Sequence, residues 1–247
     1  MNLTYARGSS LTVMDVNNAT ALVTGANRGI GRALAVALLE RGAKVYATAR
    51  DPKSVDLPGV EVIALDITDP EAVAAAAALA TDVDLLVNNA GLGAGGVLLG
   101  DLGKLHAEMD VNFWGTLSVI RAFAPVLAVN GGGAVVNIAS AASWFPLPGA
   151  TGYAASKAAL WSLGNGLRHE LAGQNTLVTS VHLGLADTDL TKGIDLPKIA
   201  PAEVARAALD GVQAGAYEVL VDDIAGMFKA SVAREPREFY ELLAQMR

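Results

Sequence analysis

Two hydrophobic patterns alternate along the chain. Short runs that are apolar at nearly every position fall at 19–25 (ATALVTG), 44–50, 60–68, 83–91, 133–140 and 176–184, with a last short run at 216–223. Between them, alanine and leucine recur at helical spacing over 29–42, from Asp69 onward, from about 101 to 129, over 152–172 and over 201–215, where a proline opens the segment. A strand that is apolar on both sides must be covered on both faces, and strands alternating with helices form a parallel sheet. Right-handed crossovers then give an α/β fold, a single-domain doubly wound parallel β-sheet with helices on both faces. In such a sheet ligands bind at the carboxyl ends of the strands. Residues 1–18 are mixed and polar and read as a loosely held arm, with 19–247 as the domain.

Composition narrows the class. The 247 residues are 52% hydrophobic and 17% charged, which suits a compact enzyme-like domain. The net charge of −7 disfavours nucleic acid as a partner. The absence of cysteine excludes disulfides and thiolate chemistry and fits a reducing, cytoplasmic setting. No apolar run approaches the roughly 20 residues of a membrane span, and the N-terminus lacks a signal-peptide pattern. No histidine or carboxylate cluster has metal-ligand spacing, so no metal is expected.

The segment TGANRGIG joins the first strand to the first helix, with glycines at 25, 29 and 31. Glycine permits a tight turn, lets backbone approach a pyrophosphate and aims a helix N-terminus at it. That makes the sheet Rossmann-type, with Gly25, Asn27, Arg28, Gly29, Ile30 and Gly31 as candidate dinucleotide contacts. At the end of the second strand a carboxylate would hold a ribose and an arginine a 2′-phosphate. Arg50 ends that strand and Arg28 lies in the turn, against the single carboxylate of Asp51, which favours NADP(H) over NAD(H).

Tyr153 and Lys157 stand four apart on a predicted helix and so share a face. An ammonium beside a phenol favours the phenolate and would tune the tyrosine as a general acid.

These motifs in register resemble the classical short-chain dehydrogenases/reductases, over about residues 19 to 225. The resemblance rests on TGANRGIG, on NNAG at 88–91, on Asn112 in the long helical tract, on Ser140 at the end of the fifth strand, and on YAASK at 153–157. It implies that Tyr153 gives its proton to a carbonyl oxygen as hydride arrives from nicotinamide, or takes one in reverse. Lys157 would lower the tyrosine pKa and bind the nicotinamide ribose. Ser140 would align the substrate oxygen, and Asn112 would keep a water near Lys157 in a proton relay. Asp66, with Ile67 beside it, resembles the adenine-contacting position. Asn88 would stabilise the central strands, while Asn89, Ala90 and Gly91 offer backbone approach to the cofactor. Gly184 and Thr188 would serve the carboxamide loop, although Leu183 stands where the family usually has a proline.

Trp144 and Phe145, between Ser140 and Tyr153, are candidate walls for a hydrophobic substrate, with core or subunit packing as the equal alternative. Residues 191–199 form a short candidate lid. By analogy with the family, helix 152–172 has apolar surface to spare for a homodimer or homotetramer. The expected activity is reduction of a hydrophobic ketone or aldehyde, reversible as alcohol oxidation, with a small molecule as the substrate partner. Two alternatives stand beside it: a ketoreductase acting on a carrier-bound acyl chain, and a non-catalytic NADP-binding sensor.

Overall fold

A computed structural model describes residues 14–245. Seven parallel strands form one sheet: β1 Thr20–Val23, β2 Lys44–Ala49, β3 Glu61–Ala64, β4 Leu85–Asn88, β5 Gly133–Ile138, β6 Thr176–His182 and β7 Glu218–Leu220. Their order is β3-β2-β1-β4-β5-β6-β7. The chain reverses its winding between β1 and β4, which places the ligand crevice beyond the carboxyl ends of those two strands. The helices are α1 Gly29–Glu40, α2 Pro70–Leu79, α3 Leu102–Met109, α4 Thr116–Val129, α5 Thr151–Glu170, α6 Pro201–Gln213, α7 Asp223–Ser231 and α8 Pro236–Gln245.

The continuous hydrophobicity of the strands follows from two cores. Ala21 and Val23 of β1, Val45 and Ala47 of β2, and Leu85 and Val87 of β4 face one cluster, closed by Leu34 and Leu38 of α1 and Val204, Leu209 and Val212 of α6. The intervening Leu22, Tyr46 and Leu86 face the other, closed by Val73 of α2, Phe123 and Leu127 of α4 and Leu167 of α5. Side chains of a strand alternate between faces, so helices on both sides require apolar residues at both parities.

Residues of the expected N-terminal arm enter the first core. Met14 and Val16 are buried there, and the Val16 N–H donates to Gln213 Oε1 of α6 at 3.0 Å. The rest of that arm, residues 1–13, lies outside the described residues.

The helical tract expected from about 101 to 129 is one continuous helix, Leu102–Val129, but it is long and apolar enough to pass for a membrane span, where the sequence reading found no such run. Its Val119, Ile120, Phe123 and Leu127 are buried against the sheet, the packing of an interior helix. Midway, Asp110–Gly115 loosens into a π-helical turn, a feature that often marks function. The sequence reading also missed α7 and α8, which follow β7 and carry Phe228 and Phe239 into a small separate core.

Phe123 is wholly buried between α4 and the sheet. Phe123→Ala is expected to cost about 3–5 kcal/mol, read as a fall in the urea midpoint at unchanged m-value.

Candidate active site

The glycine turn is held in place from a neighbouring strand. Thr24, the last residue before the turn, accepts hydrogen bonds on Oγ1 from the backbone N–H of Asn89 and of Ala90, each at 3.0 Å. The Asn89 side chain donates in return to the carbonyls of Thr24 and Gly25, at 2.9 and 3.1 Å. The sequence reading gave Asn89 a backbone role; its amide is the clamp between the two motifs. Gly25 and Gly29 have φ of +65° and +56°. A Cβ on Gly31 would lie 2.2 Å from the Gly25 carbonyl and 2.4 Å from Asn89 Nδ2, so only glycine fits. Arg28 enters α1 in extended conformation with no side-chain cap, and the first turn holds no acid, which leaves the helix N-terminus open to an anion. Asn27 and Ile30 flank these glycines, with Ile30 packed on the first core.

Of the two arginines, Arg28 differs from expectation. Arg28 Nη1 pairs with Asp189 Oδ2 at 2.8 Å, across to the loop after β6, rather than standing free for a phosphate. Arg50, exposed beyond β2, has no ion-pair partner among the described residues. Asp51 spends Oδ1 on the Lys53 N–H and caps the next turn. Asp66 lies below the usual carboxylate range because the Thr68 hydroxyl and N–H both bond to it, with the Arg50 charge a lesser contribution. The Ile67 side chain is buried against Gly115 in the second core rather than turned toward the crevice.

The loop after β6 replaces the family's proline with another restraint. Leu183 is buried, and its carbonyl accepts from the Ala141 N–H at 2.8 Å. The Gly184 N–H donates to Asp222 Oδ2 at 2.8 Å, while Asp222 Oδ1 caps α7 through the Ala225 N–H. Asp222 was not foreseen; its signal was an acidic pair, Asp222–Asp223, just ahead of an apolar helical run. Between this loop and the glycine turn lies a cleft of about 440 Å³ lined by Arg28, Gly29, Asp187, Thr188, Asp189, Lys192, Gly193 and Lys198.

Ser140, Tyr153, Lys157 and Asn112 converge beside that crevice. Lys157 is almost wholly buried and donates from Nζ to the Ile138 carbonyl at the end of β5, at 2.8 Å. Its Nζ lies 5.7 Å from the centre of the Tyr153 ring. Burial pulls Lys157 down from 10.5 to about 8. Burial also pushes Tyr153 up, to about 12; the hydrogen bond with Ser140 opposes this and the charge of Glu108 adds to it. The expected lowering of Tyr153 by Lys157 is not among the causes of its shift, which desolvation dominates in the protein on its own. Asn112, in the π-helical turn, uses its whole amide: Oδ1 accepts from the Leu92 N–H, and Nδ2 donates to the Leu92 carbonyl and to Ser156 Oγ, each at 2.8 Å. It fixes the chain after NNAG to the helix carrying Tyr153 and Lys157.

Trp144 and Phe145 are packed away rather than lining a substrate wall. Trp144 stacks on His182 at 4.2 Å, and Phe145 stacks on Phe239 of α8 at 3.9 Å. Their ring faces are already covered by aromatic partners from β6 and the C-terminal helices, which is the core-packing alternative of the sequence reading. Leu190 does border the site: a Cβ on Gly93 would meet Leu190 Cδ1 at 2.9 Å and the Tyr153 ring at 3.7 Å.

Comparison with known proteins agrees with this arrangement. The family model described as short chain dehydrogenase matches residues 19–198. The chain belongs to the short-chain dehydrogenase family. Members of the family are oxidoreductases that bind nicotinamide cofactors. A short-chain dehydrogenase from Burkholderia cenocepacia, solved in complex with NADP, is 40% identical with a TM-score of 0.89, over 93% of this chain and 99% of that one. Another from Burkholderia phymatum, in complex with NAD, is 25% identical with a TM-score of 0.78, over 87% and 94%. The 1-deoxy-11-beta-hydroxypentalenate dehydrogenase of Streptomyces avermitilis is 35% identical over 81% of each chain.

In this short-chain dehydrogenase the buried lysine carries a stability cost of known sign. Its pKa is lower folded than unfolded, so between about 8 and 10.5 the unfolded chain binds more protons. Stability is reduced below about 8 and recovers as pH rises toward 10.5. Lys157→Met is expected to stabilise the fold by about 1–3 kcal/mol at neutral pH, a gain that fades in melting curves recorded above the unfolded pKa. Gly31→Ala is expected to abolish dinucleotide binding by calorimetry, since its Cβ collides with backbone that cannot yield.

Proposed function

We propose that the chain is an NADP(H)-dependent carbonyl reductase acting on a hydrophobic ketone or aldehyde, reversible as an alcohol dehydrogenase. The observation that carries this is the convergence of Ser140, Tyr153 and Lys157 at the carboxyl end of β5, with Lys157 bonded to the Ile138 carbonyl. A bound nicotinamide dinucleotide supplies or accepts the hydride. Tyr153, protonated well above neutrality, gives its hydrogen to the substrate oxygen. Ser140 takes the Ala142 N–H on Oγ and is hydrogen-bonded with Tyr153, which sets the two hydroxyls side by side to hold that oxygen in line. Lys157, pulled down to about 8, stays largely protonated at neutral pH and is the proton source beside the tyrosine ring.

Preference for NADP(H) is supported by the unpaired Arg50 and by the commitment of Asp51 to a turn. The Burkholderia cenocepacia relative, solved with NADP, adds to it. Thr188 and the Gly184 backbone would face the carboxamide, Gly25 to Gly31 the pyrophosphate, and Asp66 the adenine. A hydrophobic substrate is supported by Leu190 beside Tyr153 and by exposed Leu98, Leu99, Ile194 and Leu196 on the flanking loops. Exposed Trp114 and Val129 on the long helix support a homodimer or homotetramer, and the lack of cysteine supports a cytoplasmic setting.

Tyr153→Phe is expected to lower turnover of NADPH with bulky ketones by roughly 10²–10⁴-fold while leaving NADPH binding intact. Arg50→Ala is expected to weaken NADPH about tenfold and NADH hardly at all, as loss of a charge-assisted phosphate contact requires. Full turnover in the phenylalanine variant would overturn Tyr153 as the proton donor, and NADPH binding without turnover in the parent protein would favour the sensor reading. Tighter binding of NADH than NADPH by the parent protein would overturn the cofactor assignment.

A further inference from the structure

Glu108 lies on α3, outside every motif considered so far, and is completely buried. Its Oε1 accepts from the Ala94 N–H at 2.8 Å and from the Gly96 N–H at 3.3 Å, in the loop that leads from NNAG past the site. Its Oε2 has no hydrogen-bond partner among the described residues. That oxygen sits in a slot between two glycines: a Cβ on either Gly96 or Gly152 would come within 2.5 Å of it. Gly152 is the residue before Tyr153, and its N–H donates to the Gly96 carbonyl at 2.9 Å. Helix α5 begins here with no side-chain cap and no acid in its first turn. A helix start of this kind carries unpaired N–H groups and a positive end, which an anion stabilises.

We infer that Glu108 is a positioning residue for Tyr153: from a neighbouring helix, its carboxylate closes the start of α5, ties that start to the 94–96 loop, and keeps the tyrosine in its proton-bearing form. A carboxylate, a loop and two glycines thus form one unit, in which each glycine makes room for the acid. Burying an acid with one unpartnered oxygen is costly unless its charge is used. Here it lies against Gly152 at the start of α5, one residue before Tyr153, and a negative charge near a phenol disfavours the phenolate. The charge of Glu108 is among the causes that raise Tyr153.

The other groups around Tyr153 are few. Lys157 lies on its own helix, and Ser140 follows β5. His182 of β6 sits behind Ser140, donating from Nδ1 to its carbonyl, and burial keeps it neutral by pulling it down to about 4. The loop residues Asp187, Asp189 and Lys192 line the neighbouring cleft with Arg28. Glu108 is the charged group among the causes that shift the phenol. The inference rests on the reading of Tyr153 as proton donor.

The test reads Tyr153 itself rather than turnover. The whole protein is labelled with 3-fluorotyrosine, whose ring fluorine brings phenol ionisation toward neutrality, and titrated by 19F NMR. Tyr153→Phe identifies the resonance among the five tyrosines. Glu108→Gln keeps an oxygen for the Ala94 and Gly96 N–H groups and removes the charge. The expected result is a Tyr153 midpoint lower by about one unit, with Tyr46 unmoved. A midpoint within about 0.2 units of the parent, against that expected shift, overturns the inference. Should the glutamine variant fail to fold, Glu108→Asp withdraws the charge by one methylene; a smaller downward shift with faster amide exchange at Ala94 and Gly96 supports the inference, and an unchanged midpoint and exchange overturn it. Loss of the functional reading is separately visible, because Tyr153→Phe would then keep full turnover whatever the titration shows.

Discussion

The structure depends on one costly act, the burial of the Lys157 ammonium beside the Tyr153 phenol. Removing either group from water opposes its charged form, which pulls the lysine down and pushes the tyrosine up. Neither shift survives unless the surroundings are fixed and dry. The Ile138 carbonyl, at the end of a central strand, supplies an acceptor for the ammonium that cannot move without breaking the sheet. Gly91 leaves room above it: a Cβ there would lie 3.3 Å from Asn112 Oδ1 and 3.6 Å from Lys157 Nζ. The π-helical turn at Asn112 interrupts the long helix so that a full amide reaches both Leu92 and Ser156. Local departures from regular structure thus cluster around the lysine.

Two further restraints tie the crevice together. Thr24 and Asn89 bind β1 to β4 where the strand order reverses, so that the glycine turn and the NNAG segment form a single rigid edge. Asp222 holds Gly184 from the opposite side and anchors the loop after β6 to α7. The Arg28–Asp189 pair then spans the mouth between these edges. That pair is exposed on both sides and weak by itself; its value lies in bringing the loop to the turn rather than in stability.

Much of this was legible in the sequence because it follows from period and spacing. The double-faced hydrophobicity of the strands gave the parallel sheet, and strand boundaries fell within a few residues of those observed. The spacing of Tyr153 and Lys157, and the glycines at 25, 29 and 31, gave the chemistry. What escaped depended on contacts between distant segments. Trp144 and Phe145 stand next to Ser140 in sequence, yet they turn toward His182 and Phe239, because the C-terminal helices offer them aromatic faces. Asn89 works through its side chain because Thr24 ends the adjacent strand. Arg28 reads as a phosphate ligand until the fold brings Asp189 to it. The direction of the Tyr153 shift was also misjudged, since spacing reveals a neighbouring charge but not the loss of water.

The most direct test of this account is the ionisation of Lys157, followed by heteronuclear NMR of protein carrying 13C,15N-labelled lysine, with Lys157→Met to assign the resonance. A midpoint near 8 is the result that burial against the Ile138 carbonyl predicts. A midpoint at about 10.4, the value of a free lysine, would mean that the ammonium is solvated, and would contradict the account at its centre.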